Sequence, residues 1–327
     1  MTQSAPIKVT LIAGGVGGAK MAEGLYHLEN IELSIIGNIA DDEAFHGLWV
    51  SPDIDTLTYT LADVIDRQQG WGVADESHRA LDTLSKLGDD TWMSLGDRDF
   101  GLHIYRTHRR RQGDRPTHIA RDIAKSFGLE CEMILPTDDT VQTRVRTEAG
   151  WLSFQEYFVK ERCAPEVREL HYDHIEDAHA TEEALNALAE ADLIVVAPSN
   201  PLVSILPILK VPGILEAVKA SKAPKIGVSP IINGGVVKGP ADRMLSSLGY
   251  EASAFGVAQI YADFLDCFVI DHADEQHVTA INGLGLRTSL DTILMKTRDD
   301  KVRLAAVLLA VSGVGSEKAS EAQELSA

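Results

Sequence analysis

Four aspartates carry the first chemical possibility. Asp41 and Asp42 follow an apolar run, and Asp53 and Asp55 come next in Pro52-Asp53-Ile54-Asp55-Thr56. Carboxylates gathered where strands end suit a hard cation such as Mg²⁺, which takes one or two carboxylates together with phosphate oxygens. One of them could instead act as a general base on a hydroxyl. An Asp just ahead of a helix also serves as an N-cap, and Asp55 or Thr56 fits that plainer role. Spacing alone leaves both readings open.

A glycine turn supplies the second. Gly14, Gly15, Gly17 and Gly18 come straight after Ile7–Ala13, and Lys20 follows them. Such a turn lets the backbone approach a phosphate, with a helix N-terminus behind it. The GxxxxGK[ST] spacing of a P-loop fails, because Met21 stands where Ser or Thr should be. The GxGxxG dinucleotide spacing is absent too, and no acid ends the second strand as a ribose partner would. A tight turn without ligand is the structural alternative. Lys20 either adds a charge or is a solvated helix residue.

A basic stretch is the third. Gly96-Asp97-Arg98-Asp99 sits at a turn, followed by His103, Arg106 and Arg109 to Arg111. Arg98 stands between two acids that would orient it, and an oriented Arg clamps phosphate or carboxylate. The other arginines read as a solvated face, and His103 as a structural histidine. Further along, Pro198-Ser199-Asn200-Pro201 follows the apolar run Leu193–Ala197. Ser199 and Asn200 could bond a base or phosphate, or act as turn residues.

These groups need elements to place them. A β-branched run, a glycine turn and a helical stretch open the chain, the start of a doubly wound α/β domain. Leu33 to Ile36, Asp192 to Ala197, Lys225 to Val228 and Phe264 to Ile270 read as strands. Thr56 to Ile65, His78 to Leu87 and Pro116 to Phe127 read as helices. Between them the texture changes: Met133 to Leu135, Gln142 to Thr147 and Trp151 to Phe158 suggest antiparallel strands. The expected fold is α/β, a doubly wound, mostly parallel sheet with a smaller antiparallel insertion. Residues 1–130 and 182–290 would form the core, 131–181 the insertion, and 291–327 a C-terminal segment with a disordered tail from Ser316.

With 30 basic and 49 acidic residues among 327, the net charge of -19 excludes nonspecific nucleic-acid binding and an electrostatic membrane attachment. One anionic ligand is still allowed, since a site needs only local donors. Cys131, Cys163 and Cys267 are scattered and form no CxxC pair, which indicates buried thiols. No signal peptide or membrane-length apolar run is evident, so a cytoplasmic protein is expected.

Six ordered blocks carry a resemblance: GGVGGAK, HGLWVSPDIDTLTYTLAD, WGVADES, LGDRDFGLHIYRT, APSNPLVSILPILKVPGI and SPIINGGVVKGPAD. From about Lys8 to Asp271 the chain resembles the 2-phospho-L-lactate transferase family of coenzyme F420 biosynthesis. The resemblance implies a Rossmann-like fold with a smaller region and a homodimer. It implies transfer of a phospholactate, phosphoenolpyruvate or phosphoglycerate moiety from its guanosine diphosphate ester. The acceptor would be the ribityl 5′-hydroxyl of the deazaflavin Fo, with GMP leaving and Mg²⁺ required.

Residue by residue, it places Asp55 and Arg98 at the deazaflavin, with Asp53 beside Asp55 as a catalytic candidate. It gives the glycine turn, Lys20, Ser199 and Asn200 to the guanine nucleotide, and Asp41, Asp42 and Asp53 to the metal. Two departures stand near the site. Members often read NTGDD where this chain has Asn38-Ile39-Ala40-Asp41-Asp42, and GDRDLATH where it has GDRD followed by Phe100-Gly101-Leu102-His103. A nucleotide-sugar-binding regulator of the same superfamily shares the glycine turn and acidic pair, but the PDIDT and GDRD blocks favour the transferases.

Overall fold

Apolar runs that are buried on both faces can only be central strands, and these runs build the sheet. The computed structural model describes residues 5–314. Its main sheet has seven strands: β1 (Ile7–Ala13), β2 (Ile31–Gly37), β3 (Glu132–Ile134), β4 (Leu193–Val196), β5 (Lys225–Val228), β6 (Cys267–Asp271) and β7 (Arg287–Asp291). They lie in the order β7-β6-β5-β4-β1-β2-β3. Every neighbouring pair is parallel. β4 is buried throughout, as expected of a parallel strand covered on both faces. The chain runs from β1 outward through β2 and β3, then returns to place β4 on the other side of β1. That reversal is the topological switch point, where open α/β sheets bind ligands beyond their carboxyl ends.

Three helices matter for the site: α1 (Gly15–Tyr26), α2 (Pro52–Leu61) and α3 (Asp97–Arg111). α1 starts inside the glycine turn, earlier than the apolar spacing indicated. α2 starts at Pro52, whose fixed φ suits the first helical position. Asp53 and Asp55 are therefore inside the first turns of α2, and neither is its cap.

The insertion differs from expectation in two places. Glu132–Ile134 pairs in parallel with β2 and belongs to the main sheet. The antiparallel part is a three-stranded sheet with Gln142–Thr147 between Gly150–Ser153 and Glu169–Asp173. The strand expected to reach Phe158 stops at Ser153. There Ser153 and Glu156 cap each other: Glu156 Oε2 accepts from Ser153 N at 2.8 Å, and Ser153 Oγ accepts from Glu156 N at 3.1 Å. A helical turn, Glu156–Lys160, follows. The small sheet shares its core with the large one, since Val145 and Tyr172 cluster with Ile12, Ile36 and Phe268.

The C-terminal segment is likewise part of the body. A fourth helix, α4 (Arg298–Ser312), packs on α1 across the other face of the sheet, where Leu304 and Leu308 join Leu11, Met21 and Leu25. Glu23 of α1 is fully buried there and accepts from Lys301, from Arg298 at 3.2 Å and from Arg67 at 3.1 Å. The expected disordered tail lies outside the described residues. Among the described residues the three cysteines are buried and free, and no single helix is long and apolar enough to cross a membrane.

Candidate active site

The glycine turn meets the β4 loop at the switch point. A side chain at Gly17 would collide with the Pro198 carbonyl, and one at Gly18 would lie 3.0 Å from Ser199 Oγ. Ser199 Oγ donates to the Gly14 carbonyl at 2.7 Å and so ties the two loops together. Asn200 uses its Oδ1 to accept from Leu202 N at 3.0 Å, capping the next turn. Both side chains thus hold the cradle's shape.

A cavity of about 490 Å³ opens beyond these loops. Gly14, Gly15, Gly17, Lys20, Asp41, Asp53, Asp55, Ser199 and Asn200 all line it. Gly18 and Asp42 are buried outside the lining, and Arg98 is exposed and does not line it. The flanking acids do not aim Arg98 at the cavity. Asp97 instead accepts from Ala80 N at 3.0 Å and from Ser77 Oγ at 2.6 Å, and Asp99 accepts from Tyr59 Oη at 2.9 Å. Arg98 donates to the Ala74 carbonyl at 3.1 Å.

The four aspartates divide into two sites, because Asp53 and Asp55 are two residues apart on a helix and face different ways. Asp53 points to the glycine turn. Its Oδ2 accepts from Asn38 Nδ2 at 2.9 Å, and Asn38 is fixed by a second bond to the Val203 carbonyl at 3.2 Å. Burial lifts the Asp53 carboxyl to about 6, opposed by the Asn38 and Gly15 N–H groups. Asp41 faces it. Its carboxyl is held well above the usual range by burial first, then by the charges of Asp53 and Asp42, and its Oδ1 has no hydrogen-bond partner. Asp42 accepts from Ser51 Oγ at 2.6 Å and Trp49 Nε1 at 3.1 Å, and burial lifts it to about 7. Among the described residues no cluster of three or more His, Cys, Asp or Glu side chains is arranged as a complete metal cage.

Asp55 belongs to the second site. Arg106 grips it with both guanidinium nitrogens, Nη1 to Oδ2 at 3.1 Å and Nη2 to Oδ1. Both residues are buried. Burial raises the Asp55 carboxyl, against the pull of Arg106. Arg106 Nη1 also lies 3.2 Å from His103 Nδ1. His103 is buried and lines the cavity, and burial together with Arg106 pushes it down to about 3. Both residues had read as a structural histidine and part of a basic face. A usable signal was present: Asp99, His103 and Arg106 stand at i, i+4 and i+7, one polar stripe on α3.

The remaining charge on the cavity is cationic. Lys20 is half-buried and pushed down by burial and by Lys301. Lys238 also lines the cavity and is lowered by burial and by Lys20. It donates to the Gln69 carbonyl and sits 4.3 Å from the Trp71 ring centroid, holding that loop at the mouth. The cavity is therefore polarised, with acids on the α2 side and lysines at the glycine turn and mouth.

Known proteins share this architecture and these blocks. A structure of a UPF0052 family member from Bacillus halodurans superposes with a TM-score of 0.65 at 17% identity, covering 93% of this chain and 99% of that one. At that identity the likeness shows the fold. The 2-phospho-L-lactate transferase of Methanosarcina acetivorans is 35% identical over 296 residues, 90% of this chain and 96% of the relative. The phosphoenolpyruvate transferase of Kitasatospora aureofaciens is 37% identical, over 94% and 98% of the two chains. The family model described as 2-phospho-L-lactate transferase CofD matches residues 9–293. With the glycine cradle and the aspartates Asp41, Asp53 and Asp55 all inside the matched span, this chain belongs to the 2-phospho-L-lactate transferase family and is an enzyme of that type.

Proposed function

We propose that the enzyme transfers a phosphorylated small acid from its guanosine diphosphate ester to the 5′-hydroxyl of the deazaflavin Fo, in coenzyme F420 biosynthesis. The observation that carries this reading is the polarised cavity at the switch point. Its glycine cradle and Lys20 suit the diphosphate, and its acidic wall suits the hydroxyl and a cation. The acceptor oxygen forms a bond to the phosphorus bearing the acid, the bond from that phosphorus to the GMP oxygen breaks, and the hydroxyl proton passes to a carboxylate. Such transfer depends on positioning and charge neutralisation.

Mg²⁺ fits the Asp41–Asp53 pair. Asp41 offers a buried oxygen without a partner, and two neighbouring carboxylates would supply the share of protein ligands that Mg²⁺ takes beside phosphate. When bound there it would neutralise charge on the diphosphate. Asp42 has its Oδ2 engaged by Ser51 and Trp49 but keeps a buried, unpartnered Oδ1, and would supply a further oxygen beside the pair. Asp55 has both oxygens held by Arg106, so it serves to position the acceptor, and proton removal falls to the Asp41–Asp53 pair. A homodimer completes the reading.

The test is mass spectrometry of the product formed from Fo when each activated acid is offered with Mg²⁺. A phospho-acid adduct of Fo with stoichiometric GMP supports the reading, and no adduct with any of the three acids overturns it. Calorimetry should rank GDP or GMP above a UDP-sugar and NAD. Tighter binding of the UDP-sugar would favour the regulatory alternative. Light scattering reads the dimer.

A further inference from the structure

His103 is a cavity-lining side chain whose hydrogen-bonding role is dictated by a neighbour. A guanidinium has no acceptor atom. The approach of Arg106 Nη1 to Nδ1 at 3.2 Å therefore makes Nδ1 the acceptor and leaves the proton on Nε2. Arg106 cannot swing away, because Asp55 holds both of its terminal nitrogens. Among the described residues no group accepts from His103 Nε2, although the ring is buried and lines the cavity. An N–H without a protein acceptor, fixed in one tautomer on a buried ring that lines the cavity, is prepared for a ligand atom.

The ligand in question is set by where His103 sits. Its neighbours are Asp55 and Asp99, on the α2–α3 side of the cavity. The glycine cradle instead is bounded by Asp53, Pro198 and Ser199. We propose that His103 donates a hydrogen bond from Nε2 to an oxygen or ring-nitrogen acceptor on the hydroxyl-bearing heteroaromatic co-substrate, and that Asp55 and Arg106 exist to hold it in that state. This deepens the acceptor half of the proposed function and rests on it. His103 is neutral and its second nitrogen is engaged, so it orients the acceptor and takes no proton from it.

The test compares wild type with His103→Phe and His103→Gln. Gln places an amide N–H near the Nε2 position, whereas Phe keeps the volume and removes the donor. Phe should raise the KM for Fo roughly five- to tenfold, with a smaller change in kcat and GDP affinity kept within about twofold of wild type. Gln should restore most of the lost affinity. An unchanged KM for Fo in His103→Phe overturns the proposal, as does an equal loss of GDP affinity, which marks a structural role. Should His103→Phe fail to fold, ¹⁵N-histidine spectra of the wild type decide the matter. Nε2–H with a shift on adding Fo supports the proposal, and Nδ1–H or no shift overturns it. Wild type inert toward Fo with every activated acid would sink the proposed function itself, a result distinct from an active wild type matched by His103→Phe.

Discussion

Asp55 and Arg106 place opposite charges deep beside the cavity, and the energetics of such a pair are asymmetric. Removing one partner leaves an uncompensated buried charge, a loss of about 3–5 kcal/mol, whereas replacing both with apolar residues is far milder. Arg106→Met should therefore destabilise the protein by about 3–5 kcal/mol in urea titrations, and the double change with Asp55→Leu should recover much of that. Both variants should lose acceptor affinity, which separates stability from function. The raised carboxyls make a second expectation. Unfolded aspartates ionise near 3.8, but in the fold Asp53 is lifted to about 6, Asp42 to about 7, and Asp41 well above its usual value. Between those values the folded state binds more protons, so stability falls as pH rises from about 4 to about 7. His103, pushed down to about 3, acts in the opposite sense below its unfolded value of 6.5, against these three and the further raised carboxyls Asp55 and Asp99. The melting temperature without metal should thus be lower at pH 8 than at pH 5. Mg²⁺ should raise it at pH 8 and have little effect at pH 5, where Asp53 is protonated. Equal melting temperatures at the two pH values would contradict the burial of these acids. At this scale the sequence was only half legible. The aspartates and glycines stood out by type and spacing. Arg106 and His103 did not, because a buried Arg on a helix of arginines is revealed only by the partner it meets.

The elements that carry these residues were easier to read, because their signals are local. β1, the glycine turn and the start of α1 follow from a β-branched run broken by glycine, and the apolar runs of β2, β4, β5 and β6 appear as strands for the same reason. What escaped was pairing. Glu132–Ile134 is as short as a hairpin strand and looks like one, and only its partner β2 assigns it to the parallel sheet. Glycines test the element scale directly. Gly17→Ala would drive a methyl into the Pro198 carbonyl, and overpacking of this kind costs about 1–3 kcal/mol. It should also weaken GDP binding, since the two loops that form the cradle would part. Gly101 on α3 is exposed, with nothing within 4 Å of an added Cβ. Gly101→Ala should instead stabilise by about 0.5–1 kcal/mol, leaving binding unchanged. Thermal melts and calorimetry on the pair read both outcomes, and the reverse order would refute the packing described at the switch point.

For the molecule as a whole, the net charge of -19 and a phosphate-bearing donor are compatible because charge is local. Lys20 and Lys238 line the same cavity as the aspartates, so the site carries its own cations and the excess acidity elsewhere serves solubility. The other whole-molecule feature is Glu23 and its three cations. Glu23→Ala would leave Lys301 buried, with only 4% of its surface exposed and its carboxylate gone. A loss of about 3–5 kcal/mol is expected, with faster proteolysis between β7 and α4; an unaltered cleavage rate would mean that α4 is held by its apolar face alone. The same contact has a meaning for biosynthesis. Glu23 emerges from the ribosome early, but its partner Arg298 lies 275 positions later in the chain. At about 5–20 residues per second, that separation is roughly 15 to 55 s of translation. Through that interval the helix behind the phosphate cradle carries a carboxylate that cannot yet be buried with its partners. Closure of the cradle should wait for α4, and a nascent chain should become able to hold nucleotide only once α4 has left the exit tunnel.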